Sequence, residues 1–455
     1  MKKYEAIIIG FGKGGKTLAA ALANQGKRVA IIEQSEVMYG GTCVNVGCIP
    51  TKALVHHAKL SELMHYQTFA EQAAAYSMAI TKKNKLTETL RNKFFDNLDS
   101  QETVTIYTGK ASFEDSHTVS IQSEEGIETI SGERIFINTG ATPVIPGIAG
   151  LESSLHVYTS ATLMEQTELP KRLLIIGGGY IGLEFASMYA GFGAKVTVLD
   201  GNQSFLPREE REIAEAVRQS LQERGGEIKL GVTVQSVQDQ EHGALVTVSD
   251  AKNLTYTLEG DAILIATGRK PNTEGLMLQQ AGVKVSDRGA IEVNEVLQTN
   301  ISHIYALGDV KGGPQFTYIS LDDFRIILDH LKGGNRSLVQ RKNIPYAVFI
   351  DPPLSRVGLT ESEAIAQGYE VKISTLSAAA IPRAKLTEET KGLLKAVIDA
   401  KTDAILGCTL FCASSQEMIN IVRMAMELEQ PYTLLRDFIF THPTMSEALN
   451  DLFQL

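Results

Sequence analysis

The sequence predicts an α/β protein in which one unit of strand, turn, helix and strand occurs twice. Three observations predict it. Two short apolar runs, Ala6 to Ile9 and Leu173 to Ile176, each lead straight into a glycine-rich turn. A helical stretch follows each turn, Thr17 to Ala23 in the first case and Glu184 to Tyr189 in the second. A second apolar run then closes each unit on an acid: Val29 to Ile32 ends at Glu33, and Val196 to Leu199 ends at Asp200.

The first turn, Gly10-Phe11-Gly12-Lys13-Gly14-Gly15, matches G-x-G-x-x-G through Gly10, Gly12 and Gly15. In such a turn the first glycine makes the bend and the second admits a pyrophosphate to the backbone. The third lets helix and strand pack closely. A glycine triplet by itself is as readily an ordinary turn. With strand and helix in place, and Glu33 set to bond a ribose 2'-hydroxyl, it becomes a Rossmann-like dinucleotide site.

The segment Gly40-Gly41-Thr42-Cys43-Val44-Asn45-Val46-Gly47-Cys48-Ile49-Pro50-Thr51-Lys52 follows soon after Glu33, so the fold carries it close to that site. Two thiols at this spacing can face each other across a helical turn. A helix N-terminus stabilises thiolate, bringing a pKa near 8.5 down to about 3.5 to 7.5. Two packing cysteines are the plainer reading; beside a flavin, redox chemistry is the better one. A flavin receives hydride as an electron pair, a disulfide accepts that pair, and the resulting dithiol can attack oxidised substrates.

Two segments leave sheets in much the same way: Asn138-Thr139-Gly140-Ala141-Thr142-Pro143 after Ile135 to Ile137, and Ala266-Thr267-Gly268-Arg269-Lys270-Pro271 after Ala262 to Ile265. They mark expected crossings between domains, which makes the flavin domain discontinuous. The second turn, Gly177-Gly178-Gly179-Tyr180-Ile181-Gly182, repeats the motif through Gly177, Gly179 and Gly182. Two such units imply two dinucleotides. Asp200 is followed by Gly201, Asn202 and Gln203 rather than arginines, so NADH is expected there. NADPH stays open because Arg208 could fold back. Ile304-Tyr305-Ala306-Leu307-Gly308-Asp309 then supplies an apolar strand with a terminal carboxylate suited to a ribityl hydroxyl. A simple strand-end acid is the plainer reading of Asp309.

The chain is long enough, at 455 residues and 44% hydrophobic, to bury a substantial core in several domains. Its net charge of -10 disfavours nucleic acid and leaves a small-molecule partner. Four cysteines form no disulfide framework and no C-x-x-C zinc knuckle, so no metal site is expected and cytosolic thiol chemistry is. Cys408 and Cys412 read as packing residues. The N-terminal apolar run is broken by Gly10, Gly12, Lys13 and Lys16, and no stretch reaches the roughly 18 apolar residues of a membrane span. A cytoplasmic protein with no membrane partner is expected.

The thiol segment, both glycine motifs, Ala306-x-Gly308-Asp309 and His442-Pro443-Thr444-x-x-Glu447 together resemble the class I pyridine nucleotide-disulfide oxidoreductases. That family includes lipoamide dehydrogenase, glutathione reductase and mercuric reductase, and the resemblance covers essentially the whole chain. It implies FAD in the first site and a nicotinamide in the second. Residues 1–147 and 269–338 would then bind FAD, 148–268 NAD(P)H, and 339–455 would form an α+β dimerisation domain. The resemblance makes Cys48 the thiol nearest the flavin and Cys43 the interchange thiol that attacks substrate. It pairs Lys52 with Glu184 and has Tyr180 cover the nicotinamide pocket. His442, oriented by Glu447, would act as acid and base on Cys43 across a homodimer. Gly41, Thr42, Lys52, Thr139, Gly140, Gly268, Gly308 and Asp309 are expected cofactor contacts.

Within the family, Phe440 stands where lipoamide dehydrogenases carry a second histidine. The final residues, Asn450-Asp451-Leu452-Phe453-Gln454-Leu455, hold neither the vicinal cysteines of mercuric reductases nor the redox tail of large thioredoxin reductases. Residues Gln315 to Arg325 and Ser446 to Phe453 are similar to bacterial flavoproteins linked to reactive chlorine resistance, described as hypothiocyanous acid reductases, with copper(II) reduction also proposed. The implied chemistry is attack of Cys43 on the electrophilic sulfur, loss of thiocyanate, and resolution by Cys48. Dihydrolipoamide dehydrogenase, a copper(II) or mercury(II) reductase and a non-catalytic flavin redox sensor are the competing readings.

Overall fold

The computed structural model describes all 455 residues, which fall into two compact units. The first takes in residues 1–53, 79–144 and 268–341. Its sheet is built on the apolar strand Lys2–Ile9, which pairs in parallel with Val29–Glu33 on one side and Gly126–Ile137 on the other. Val104–Thr108 and Ile304–Ala306 extend this parallel core, while Thr118–Ser123 and Lys110–Phe113 continue it antiparallel. Strand Val29–Glu33, which has a parallel neighbour on each side, is buried at every position, and so is Ile304–Ala306, whose only strand partner is Gly126–Ile137. The two sheet-exit segments meet here as a small antiparallel ribbon, Ala141–Pro143 against Arg269–Pro271.

Ile304–Ala306 is shorter than the sequence suggests. Asp309 lies beyond its end, in a 3-10 turn over Gly308–Lys311, where Gly308 at φ +75° turns the chain out of the sheet.

The second unit takes in residues 54–78, 145–267 and 342–455. It repeats the parallel design: Glu227–Leu230, Lys195–Asp200, Arg172–Ile176, Ala262–Ile265 and Val157–Thr159 lie side by side in that order. An antiparallel ribbon of Thr233–Asp239, Ala244–Ser249 and Thr255–Gly260 adjoins it in sequence. The C-terminal part is a five-stranded antiparallel sheet ordered Tyr346–Val348, Leu354–Gly358, Ile405–Phe411, Leu393–Asp399, Val371–Ser377. Helix Ser415–Glu427 packs its apolar stripe of Met418, Ile419 and Val422 into the core this sheet builds. Cys408 and Cys412 are part of that core, where burial pushes both thiols up, Cys412 to about 12. They are packing residues. No helix is long and apolar enough to cross a membrane.

Candidate active site

At the first glycine turn, helix Lys13–Ala23 starts from Gly12 in extended backbone with no side-chain cap. An uncapped N-terminus of this length is where an anionic group is best received. A Cβ on Gly10 would stand 2.3 Å from the Asn138 carbonyl oxygen, and one on Gly15 would stand 2.4 Å from the Gly10 carbonyl. Both positions therefore exclude any side chain. Glu33 accepts the Phe11 N–H at 3.0 Å and the Gln34 N–H at 2.9 Å; burial raises its pKa against these bonds. Gly41, at φ +78°, lies so close to the turn that a Cβ on it would meet the Gly12 Cα at 2.5 Å. The thiol segment is thus clamped directly onto the dinucleotide turn.

Asn138 escaped the sequence reading as a site residue. Its Oδ1 accepts the Gly15 N–H at 2.8 Å and its Nδ2 donates to the Leu307 carbonyl at 2.8 Å. One buried amide so ties the turn after the first strand to the ends of two others. The signal lay in the exit segment Asn138-Thr139-Gly140, recognised only as a turn. Within that segment Thr139 donates to the Asn272 carbonyl at 2.7 Å, and Gly140 at φ +73° accepts the Asn272 N–H at 2.9 Å. Gly308 donates its N–H to the fully buried Asp323 at 2.8 Å.

Cys43 and Cys48 do not face each other across one helical turn, as their spacing suggests. Cys43 sits in the four-residue helix Thr42–Asn45, and Val46 leaves the helical region before Cys48 opens the 16-residue helix Cys48–Leu63. Gly47 makes the break possible, because a Cβ there would crowd the Thr42 carbonyl at 2.9 Å. The neighbouring Cys48 thiol, burial and the charge of Cys48 push the Cys43 thiol up, while Thr317 and Lys16 pull it back. The expected helix-dipole benefit falls on the Cys48 end, where the long helix begins. Thr317, first residue of helix Thr317–Leu331, places its hydroxyl 3.5 Å from the Cys48 sulfur. Lys52 lies one turn further along the Cys48 helix, on the same face.

Arg269 is a second residue the sequence did not single out. Burial lowers its pKa, opposed by Asp309 and Cys48, and it donates to the Ala141 carbonyl. Asp309 in turn is raised by burial and pulled back by Arg269 and Lys311.

The second glycine turn has the same construction. Gly177 at φ +113° would drive a Cβ to 2.4 Å from the Ala266 carbonyl, and one on Gly182 would meet the Gly177 carbonyl at 2.2 Å. At Gly179, which begins helix Tyr180–Gly191 without a side-chain cap, a Cβ meets nothing within 4 Å. That open space over a helix N-terminus fits a pyrophosphate. Gly268, at φ +114°, is likewise open. Asp200 is buried and accepts from the Asn202 backbone at 3.0 Å and side chain at 2.9 Å. Arg208 is exposed and makes no ion pair with it. Tyr180 donates to Glu209 at 2.5 Å and stacks on Tyr346, which also donates to Glu209. Glu184 is buried and accepts the Phe349 N–H at 2.9 Å.

His442 is 72% exposed, and its Nδ1 lies 2.8 Å from Glu447 Oε2. The other carboxylate oxygen accepts the Thr444 N–H at 3.1 Å. With Nδ1–H donated to the carboxylate, Nε2 is the basic nitrogen and points away from Glu447. Glu210, Glu212 and Glu361 converge closely enough to suggest a cation site, but Lys395 Nζ sits among them at 3.0, 2.5 and 2.7 Å.

Two dinucleotide turns, with a thiol pair clamped to the first, define a flavin- and nicotinamide-linked oxidoreductase acting on sulfur. The chain belongs to the pyridine nucleotide-disulphide oxidoreductase family, which it matches over residues 4–323, with the dimerisation domain of that family over residues 344–453. It is an FAD-dependent enzyme that draws electrons from NAD(P)H. It is 50% identical over 456 aligned positions to the probable pyridine nucleotide-disulfide oxidoreductase RclA of Escherichia coli, covering 100% of both chains. A mercuric reductase of Lysinibacillus sphaericus is 35% identical, with 98% of this chain and 81% of that one aligned. A dihydrolipoyl dehydrogenase of Staphylococcus aureus is 30% identical, with 97% and 94% aligned. The solved copper(II) complex of HOCl-induced flavoprotein disulfide reductase RclA from Escherichia coli superposes with a TM-score of 0.94 at 50% identity, covering 100% of this chain and 99% of that one.

Proposed function

We propose that this chain is an NADH-dependent disulfide reductase that reduces hypothiocyanous acid in defence against oxidative stress. The observation that carries the proposal is the pair of free thiols, Cys43 and Cys48, on a segment that Gly41 packs against the glycine turn of the first dinucleotide site. Bound FAD supplies the passage of an electron pair from nicotinamide to sulfur. Residues Gly10, Gly12, Gly15, Glu33, Thr42, Thr139, Gly140, Gly308 and Asp309 would hold it. Gly177, Gly179, Gly182, Gly268 and Asp200 would hold the nicotinamide dinucleotide, with Tyr180 over its pocket. NADH is favoured because a 2'-phosphate would meet the Asp200 carboxylate.

Cys43 thiolate attacks the sulfur of hypothiocyanous acid. Hydroxide leaves, takes a proton from His442 and departs as water, and Cys43 becomes a sulfenyl thiocyanate. Cys48 thiolate displaces thiocyanate and closes the disulfide, which two electrons from NADH reopen. The imidazole that Glu447 orients is the acid of the first step and serves the thiol pair of a second copy, in a cytoplasmic homodimer. Lys52 and Glu184 belong to the catalytic machinery in this reading, and residues 1–147, 148–268, 269–338 and 339–455 form its four segments. The Escherichia coli relative's description as HOCl-induced supports an oxidant substrate. Its copper(II) complex supports a second reading, reduction of a soft cation held by thiolates.

The test is comparative turnover. Hypothiocyanous acid is expected to drive rapid NADH oxidation, abolished by Cys43→Ser or Cys48→Ser. Far faster reduction of lipoamide defeats the proposal, turnover with copper alone moves the assignment to metal reduction, and a flavin that NADH cannot reduce makes the protein a sensor.

A further inference from the structure

A buried lysine with no carboxylate partner is hydrogen-bonded to the loop that carries Cys43. Lys16, on helix Lys13–Ala23, is 7% exposed. Its Nζ donates to the Gly40 carbonyl at 3.3 Å and lies 3.4 Å from the centre of the Phe94 ring. Those contacts hold the amine in place, and a carbonyl dipole and a ring face compensate its charge only in part. Lys395, also buried, shows the usual alternative, with three carboxylates around it.

Two charged groups act on Lys16: Lys13, which repels it, and Cys43, which attracts it when ionised. Gly40, its hydrogen-bond partner, lies three positions before Cys43 on the same loop. Burial brings the ammonium down to about 8, with Lys13 adding to the effect, which leaves it mostly charged at neutral pH. The other sulfur has a different arrangement, since Arg269 acts on Cys48 but is shared with Asp309.

We propose that Lys16 is the built-in counter-charge of the Cys43 thiolate, a positioning residue that keeps this sulfur ionised for attack once the disulfide has been opened. The inference rests on the disulfide-reductase reading, though not on which oxidant is reduced. When two electrons enter the disulfide, both sulfurs gain negative charge, and fewer protons are then needed to neutralise the pair. Cys48, Thr317 and burial, which also act on Cys43, set the remainder of its proton affinity.

The experiment is alkylation of Cys43 by iodoacetamide in flavin-loaded Cys48→Ser protein, followed site by site by mass spectrometry from about pH 5 to 10. With the partner sulfur removed, the Cys43 midpoint is expected below the ordinary thiol value of about 8.5. Adding Lys16→Met is expected to raise it by about one unit, slowing alkylation at neutral pH roughly tenfold, and Lys16→Arg to restore it. An unchanged midpoint in Lys16→Met overturns the proposal. So does loss of flavin with an unchanged midpoint, which would assign Lys16 to a phosphate. Should Lys16→Met fail to fold, the Cys48→Ser protein decides: a midpoint at or above about 8.5 refutes the idea. Failure of the underlying reading shows separately, as a wild-type disulfide that NADH does not open.

Discussion

Replacing Asn138 by alanine tests whether a single amide holds the first dinucleotide turn in shape. The side chain is 6% exposed and makes two hydrogen bonds of 2.8 Å, from the Gly15 N–H and to the Leu307 carbonyl. Alanine leaves one donor and one acceptor buried without partners. Each costs about 1 to 3 kcal/mol, so a loss of about 2 to 6 kcal/mol is expected, at the high end for a point mutation. Asn138→Asp separates geometry from chemistry. An ionised aspartate still accepts from Gly15 but turns an oxygen toward the Leu307 carbonyl, whereas a protonated one donates to it. The aspartate variant should therefore recover stability relative to wild type as pH falls below the carboxylate range. Urea unfolding of the flavin-loaded protein, followed by flavin release, measures both effects. A loss under about 1 kcal/mol for alanine, or no recovery of aspartate in acid, would refute the reasoning and leave the turn to its glycines.

Three further outcomes follow from the same geometry. Burial depresses Lys16 from 10.5 to about 8, so between those values the unfolded chain binds a proton that the folded chain does not, and folding stability rises with pH. Lys16→Met should remove that rise and stabilise the protein by about 3 kcal/mol at neutral pH; equal pH profiles for the two proteins refute this. Lys395→Met strips the common partner from Glu210, Glu212 and Glu361 and should cost about 3 to 5 kcal/mol in urea unfolding, a loss below about 1 kcal/mol counting against it. Glu447→Gln keeps an oxygen for the Thr444 N–H but loses the carboxylate on His442. Since His442 is exposed and Glu447 keeps its bond to Thr444 as glutamine, stability should change by less than about 1 kcal/mol while turnover falls roughly 100-fold, and full turnover would remove His442 from the mechanism.

Much of the site was legible in the sequence because its chemistry is local. Close backbone approach, joined at Gly10 and Gly177 by φ above zero, admits only glycine, so Gly10, Gly15, Gly177 and Gly182 declare themselves by spacing alone. The same holds for the parallel strands, whose all-apolar runs have no other stable place. His442 and Glu447 are close enough in the chain for one loop to join them.

What only the tertiary structure decided depends on residues far apart in sequence. Asn138 matters because folding sets it between Gly15 and Leu307, 123 and 169 positions away, and no local pattern distinguishes it from any asparagine in a turn. Lys16 and Arg269 owe their shifted proton affinities chiefly to burial, and burial is a property of packing. The break at Gly47 belongs here as well: helical periodicity allowed one continuous turn through both cysteines, and the chain instead divides where Gly47, lacking a Cβ, can pass close to the Thr42 carbonyl. Backbone geometry is dictated residue by residue, whereas the electrostatic surroundings of the thiols come from whichever groups the finished fold buries around them.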